Sequence, residues 1–222
     1  MSNAAPSKDV KKEYSKPGVA SGYDEKRFAS ASGRRRNRRK VAAIRKALAL
    51  IEKPRLILDL PCGTGRFFQF FTEEGFRFVG ADIAQPMLKE AAAKPQSRPA
   101  VGLVAADGEA LPFRDRAFDA VFSIRFLFHL TPEQRVKIIR EMARVTKGHL
   151  ILDYRLKYSL KNVVRLTLHR LGLKKRLRRV TRREMLEELR AAGVEPLAVF
   201  PVTRFFSDKH IVLCRPVRSS QE

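Results

Sequence analysis

The sequence predicts an α/β protein built on a doubly wound, mostly parallel β-sheet. Three observations carry this reading. From residue 55 onward, short runs rich in Val, Ile, Leu and Phe alternate with segments of helical periodicity, the pattern of repeated βα units. The first run, "LILDL", meets a turn with two glycines, "PCGTG", and then an apolar helix-like stretch. The end of the chain breaks the rhythm: the last strand follows a loop instead of a helix, so it can enter the sheet antiparallel.

In chain order, residues 1–22 are polar, contain Pro6, Pro17, Gly18 and Gly22, and lack periodicity. A mobile basic tail is expected over 1–35. A helix is expected from Arg36 to Ile51, with Val41, Ile44, Leu48 and Ile51 on one face and Pro54 ending it. Strands are predicted at 55–60, 77–82, 101–106, 118–123, 149–154, 195–200 and 210–216, which makes seven. Helices are predicted at 64–74, 85–93, 132–146 and 182–192. The domain therefore runs over 36–216, with an insertion at 154–180 and a short tail at 217–222.

No stretch reaches the ~20 uncharged apolar residues of a membrane span, and the N-terminus has no apolar core of a secretory signal. A cytoplasmic protein is the expectation. Cys62 and Cys214 form neither a metal-ligand nor a disulfide spacing pattern, so both are read as unpaired thiols. The charge is unusual: 46 Lys and Arg against 23 Asp and Glu give a formal net charge of +23. Residues 33–55 carry ten of the basic residues with one Glu, and residues 154–183 carry twelve with no acid. Two such patches around one core point to an anionic partner, either nucleic acid or an acidic lipid surface.

Ligands of open α/β sheets bind beyond the carboxyl ends of the strands. Strand one ends in Asp59 and the turn Pro61-Cys62-Gly63-Thr64-Gly65. Strand two ends in Asp82, at the spacing of an acid that accepts hydrogen bonds from both ribose hydroxyls. Strand three ends in "AADGEALPF", where Asp107 can accept from an exocyclic amine of a base. A dinucleotide fits poorly: large residues follow Gly65 where a third glycine would be needed, and Asp59 would repel a pyrophosphate. An acid there suits a ligand with an ammonium and a sulfonium. S-adenosylmethionine has both and no phosphate.

With these residues in view, the chain resembles the class I S-adenosylmethionine-dependent methyltransferases, in particular the group with UbiE-like and type 11 methyltransferase domains. "LDLPCGTGRF", "ADIAQPML", "AADGEALPFRDRAFDAVFS" and "REMARVTKGHLILD" look like successive motifs of that group, and the resemblance covers about residues 36–215. It implies a Rossmann-like fold, with Asp59, Gly63 and Gly65 around the methionine part of the cofactor, Asp82 at the ribose and Asp107 at the adenine. The neighbouring Pro61, Cys62, Ile83, Ala106 and Gly108 complete the expected cofactor-binding set. Pro61 departs from the glycine often found in the group, and "VTKGHL" is one residue shorter than its frequent turn.

For the methyl acceptor, the loop after strand four, "SIRFLFHL", offers His129 as a general base and Arg125 as an orienting cation. A packed or capping histidine is the competing reading of His129. The same loop lacks the D/N-P-P-Y/F motif of enzymes that methylate base amino groups, and Cys62 sits in the cofactor turn, so those routes are disfavoured. In the insertion, read as a helix, Lys157, Lys161, Arg165 and His169 align on one face, with Leu160, Val163, Val164, Leu168 and Leu171 on another. Tyr154 and Tyr158 are its only aromatics and candidate substrate contacts. Three readings stand: a methyltransferase for a small hydrophobic, anionic or lipid-linked acceptor met at an anionic membrane surface; an RNA methyltransferase using the basic patches; or a cofactor-binding protein without turnover.

Overall fold

The computed structural model describes residues 30–97, 100–157, 179–203 and 207–218. Seven strands form one sheet in the order β3-β2-β1-β4-β5-β7-β6. Their ranges are β1 Leu56–Asp59, β2 Arg77–Asp82, β3 Ala100–Ala105, β4 Phe118–Ser123, β5 Thr146–Arg155, β6 Val194–Pro201 and β7 Lys209–Pro216. Strands β1 to β5 pair in parallel, and β7 inserts antiparallel between β5 and β6. The expected mostly parallel sheet with an antiparallel last strand is what the chain forms.

Among the described residues, five α-helices cover the two faces: α1 Ala31–Leu48, α2 Phe68–Glu73, α3 Gln85–Ala92, α4 Pro132–Val145 and α5 Arg182–Ala191. Helix α1 begins at Ala31, five residues earlier than the periodicity indicates. The cause is a cap: Ser30 Oγ accepts the Gly33 N–H at 3.1 Å. Helix α2 is shorter than expected because Gly63 and Gly65, with φ of 56° and 69°, keep the chain in a turn as far as Phe67. Helices α4 and α5 each start with a complete capping box, Thr131 with Gln134 and Thr181 with Glu184.

One apolar cluster packs α1, α2 and α3 on the sheet and is rich in phenylalanine; Phe71 meets Phe122 edge-on with ring centroids 5.1 Å apart. The other cluster packs α4 and α5 on the opposite face. On that second face, Arg135 of α4 forms a buried two-pronged ion pair with Glu188 of α5, at 2.9 and 2.5 Å. Arg144 ties the end of α4 to the loop after β3 by donating to the carbonyls of Leu111 and Phe113, and Glu141 accepts the Leu111 N–H at 2.9 Å. The "REMARV" motif thus holds in place the segment that begins with Asp107.

Candidate functional site

At the carboxyl end of β1, Asp59 is 1% exposed. Its Oδ2 is buried without a hydrogen-bond partner among the described residues. Burial, and then the charge of Asp82, push its carboxyl well above the ordinary range. An acid so placed is costly unless a cation or donor completes it. The turn beside it is built to admit one. Cys62 N–H donates to the Ala81 carbonyl at 2.9 Å and Gly65 N–H to the Cys62 carbonyl at 3.0 Å. The two glycines differ in what they require. A Cβ on Gly65 would lie 2.5 Å from the Phe68 ring, whereas one on Gly63 would meet nothing within 4 Å. Gly65 serves the packing of α2, and Gly63 faces open space.

Asp82 ends β2 and is also buried, its carboxyl raised by burial. Oδ2 accepts the Gly63 N–H and Oδ1 the Ala84 N–H, both at 2.8 Å. These bonds lock the turn to the adjacent strand, and each oxygen keeps a lone pair for a further donor. Next to it, Ile83 is 38% exposed, an apolar surface at the strand end. Asp107 is half-buried and spends one oxygen on the Glu109 N–H, 3.1 Å away, as an Asx turn. Ala106 is buried, and a side chain on Gly108 would make only ordinary contact with Ile138. Pro61 follows Leu60 through a cis peptide bond. Cys62 is buried, and burial together with the charges of Asp59 and Asp82 pushes its thiol well up, so it is not a thiolate nucleophile. The sequence-predicted residues of strands one to three therefore converge on one edge, and an ammonium-bearing ligand fits the incomplete carboxylate at its centre.

Beyond β4 and β5 the edge changes character. A cavity of about 450 Å³ opens there, lined from α1, from Arg66 of the glycine turn, from Arg125 after β4, from Arg155 at the end of β5 and from Lys209 at the start of β7. Arg125 has φ of 67°, a left-handed conformation that costs a non-glycine residue roughly 1 kcal/mol or more. Its N–H donates to Asp153 Oδ2 at 3.1 Å. Asp153 also pairs with the buried Lys40 of α1, whose ammonium burial pushes down to about 8. Arg66 donates to Asn37 Oδ1 at 2.9 Å, joining the turn to α1. Arg155 stacks its guanidinium on Phe128, 3.7 Å from the ring centroid.

Of the expected acceptor contacts, Arg125 lines this cavity. His129 closes a short 3-10 helix, Leu127–His129, half-buried with its ring 4.3 Å from that of Phe128. Tyr154 is corrected: it is a residue of β5, 2% exposed, and its hydroxyl approaches Glu188 at 3.4 Å within the α4–α5 core. Side chains alternate along a strand, so Leu150, Leu152 and Tyr154 share the inward face. Tyr158 and the predicted insertion helix from residue 158 onward lie outside the described residues. Lys157, expected to open its basic face, instead pairs with Glu184 at 2.9 and 3.0 Å. Arg36, Arg39, Lys40 and Arg155 are legible in the sequence only as patch charge, and Lys209 lies outside both patches.

Residues 57–149 match a family model described as a methyltransferase domain. The chain is 44% identical over 101 residues to a demethylmenaquinone methyltransferase of Thermus thermophilus, a match covering 44% of this chain and 45% of that protein. It is 38% identical over 91 residues to a human protein named probable tRNA methyltransferase 9B, covering 40% of this chain and 18% of the relative. The chain thus spans less than half the length of either. Among solved structures, a magnesium protoporphyrin IX methyltransferase from Synechocystis with bound S-adenosylhomocysteine superposes with a TM-score of 0.73 at 19% identity, over 95% of this chain and 98% of that one. Fold, glycine turn and matched motifs agree: residues 57–149 match a methyltransferase domain, and they sit in the fold of a solved methyltransferase that holds S-adenosylhomocysteine.

Proposed function

We propose that the protein transfers a methyl group from S-adenosylmethionine to a small anionic acceptor that binds beyond β4 and β5. The observation that carries the cofactor half is the buried, partnerless Asp59 Oδ2 beside Gly63. When bound, the cofactor supplies an electrophilic sulfonium methyl. Asp59 would hold its ammonium, Asp82 its ribose hydroxyls, Ile83 one face of its adenine and Asp107 the adenine's edge. On the acceptor side, Arg66 directly follows Gly65 and lines the basic cavity, so one chain segment borders both ligands. Such adjacency supports a reaction that holding two partners together accelerates. Arg125 would orient the acceptor's negative charge.

The relatives are named for acceptors as different as demethylmenaquinone and tRNA. The family match ends at residue 149, before Arg155 and Lys209, so it speaks for the cofactor half. The RNA reading draws support from the tRNA-named relatives and the charge of +23. We favour the small acceptor because the basic groups line a cavity of ligand size. No helix among the described residues is long and apolar enough to cross a membrane; contact of a cytoplasmic protein with an anionic membrane surface would be peripheral. Incubation with methyl-labelled S-adenosylmethionine and fractionated extract is the test. Label in small molecules or lipids is expected, label in RNA would replace this reading with the other, and cofactor binding without product in any fraction would leave a binding protein.

A further inference from the structure

We infer that the cavity beyond β4 and β5 is a phosphate site: the acceptor carries a phosphate monoester or diphosphate group, gripped by Arg36, Arg39, Arg155 and Lys209. This inference rests on the proposed methyl transfer for the identity of the ligand as acceptor, but the site itself stands on its own geometry.

The first ground is charge balance. Of the acids near the cavity, Asp153 is taken by Lys40 and Asp208 pairs with Arg179 at 3.0 Å. Arg36, Arg39, Arg155 and Lys209 line the same space and make no ion pair among the described residues. Four cations around one cavity of about 450 Å³ repel each other. Their closeness shows in the ammonium of Lys209, which is held below its ordinary range by burial and then by the charge of Arg155, with Arg36 adding to this, although Asp208 and Asp153 act against it. A dianion entering this space would turn those repulsions into attractions.

The second ground is an unmet donor. Arg155 Nε is buried and has no hydrogen-bond partner among the described residues. Phe128 fixes the plane of that guanidinium, so the fork is oriented before a ligand arrives. Donors in a fixed fork match phosphate oxygens two at a time. A single carboxylate would satisfy one such fork and leave the remaining cations unmet, whereas a phosphate offers three oxygens and up to two charges.

The third ground is the end of α1. Ser30, its N-cap, lines the cavity, and the first turn of this 18-residue helix contains no acid. The positive end of the helix dipole therefore adds to the side-chain charge. A cavity of this volume admits a phosphorylated small molecule or one lipid headgroup, while a polynucleotide backbone is tracked by an extended groove.

The test uses the full chain with S-adenosylhomocysteine added, titrated calorimetrically at low salt with inorganic pyrophosphate, glucose 6-phosphate and glucose. Saturable binding of the first two and none of glucose is expected. Arg36→Gln with Arg39→Gln changes two exposed helix positions, so the fold is retained. Pyrophosphate affinity should fall by about tenfold or more, the worth of one charge-assisted hydrogen bond. The pair Lys46→Gln with Lys89→Gln removes the same charge outside the cavity and should change it less than twofold. Lys209→Gln gives an independent check from the opposite wall and should show the same direction of loss. Vesicles of phosphatidylcholine with phosphatidic acid, compared with phosphatidylserine at equal content, separate a lipid phosphate from a soluble one. Absence of pyrophosphate binding, equal loss in both double variants, or tRNA binding that displaces pyrophosphate and is lost with Arg36 and Arg39 would each overturn the phosphate site. Failure of S-adenosylhomocysteine to bind while pyrophosphate binds would instead overturn the methyltransferase reading and leave the anion site standing.

Discussion

The two halves of the sheet's carboxyl edge have opposite electrostatics. Over β1 to β3, three acids gather at a glycine turn and one of them, Asp59, is an incomplete carboxylate; over β4, β5 and β7, four cations that make no ion pair among the described residues surround a cavity. Each half is uncomfortable by itself and fits a ligand of the other sign. The contrast teaches that like charges held near each other in a folded protein are a description of the missing partner. The seam is the glycine turn, where Gly65 and Arg66 are consecutive but serve different halves.

The seam is where the comparison breaks most readily. Gly65→Ala combines a left-handed φ with a Cβ 2.5 Å from the Phe68 ring, so it should cost roughly 2–4 kcal/mol of stability from strain and overpacking together. Gly63→Ala carries the φ cost without the clash and should lose about 1–2 kcal/mol of stability, with a larger loss of cofactor affinity than its stability change implies. Chemical denaturation and calorimetry with S-adenosylhomocysteine separate the two. Equal stability losses would mean that both glycines serve the backbone alone.

Within the acidic half, Asp59→Asn should act in opposite directions on the free and the liganded protein. At a pH above the raised range, where the buried carboxyl must ionise without a partner, its replacement should raise the melting temperature of the free protein. Loss of a charged acceptor should weaken the cofactor by about 1.5–3 kcal/mol. Asp82→Ala should weaken it by a similar roughly 1.5–3 kcal/mol but lower the melting temperature, because Gly63 and Ala84 lose their acceptor. A melting temperature that moves the same way in both variants would sink the assignment of Asp59 as the ligand's carboxylate.

The same pair sets a pH dependence. Burial raises both carboxyls above their unfolded values, so between the two ranges the native state binds more protons than the unfolded state. Stability of the free protein should therefore fall as pH rises from the ordinary carboxylate range through the raised one. A cofactor ammonium favours the ionised form, so binding should release protons, and affinity should rise over the same window and level off above it. Calorimetry in buffers of different ionisation enthalpy counts the protons. No release, or release that persists in Asp59→Asn, would contradict this account.

How far each half was legible follows from how each is written in the chain. The acidic half is local: Asp59, Gly63 and Gly65 share one turn, and Asp82 and Asp107 each end a strand whose pattern is plain. The basic half is assembled across the chain; Lys40 meets Asp153 from 113 positions away, and no short-range pattern places α1 over the ends of β4 and β5. Charge counts found the excess of cations but not their meeting point. Tyr154 was misplaced for a different reason. The alternation Leu150, Leu152, Tyr154 was readable, but the start of the acid-free segment drew the residue into the insertion. The partner that commits Lys157, Glu184, is itself visible only as the N3 residue of a capping box; nothing in the sequence says that a cation reaches it.

The smallest effect is expected at His129, and it decides what the basic half contributes. A general base there would have to reach the acceptor's proton, and removing it would lower turnover by about 10²–10⁴-fold. The described geometry gives the imidazole another task. Its ring packs 4.3 Å from Phe128, and Phe128 is the surface on which the Arg155 guanidinium rests. His129 is thus one step removed from the cavity, and the expectation is that it acts as a positioning residue for the fork of Arg155. His129→Ala should then lower turnover by less than about tenfold, raise KM for the acceptor more than it lowers kcat, and leave cofactor affinity unchanged. His129→Phe, which keeps an aromatic ring against Phe128 but cannot carry a proton, should recover most of the loss. A fall of a hundredfold or more in kcat that phenylalanine does not rescue would return His129 to the role of base, and the basic half would then supply proton transfer as well as charge.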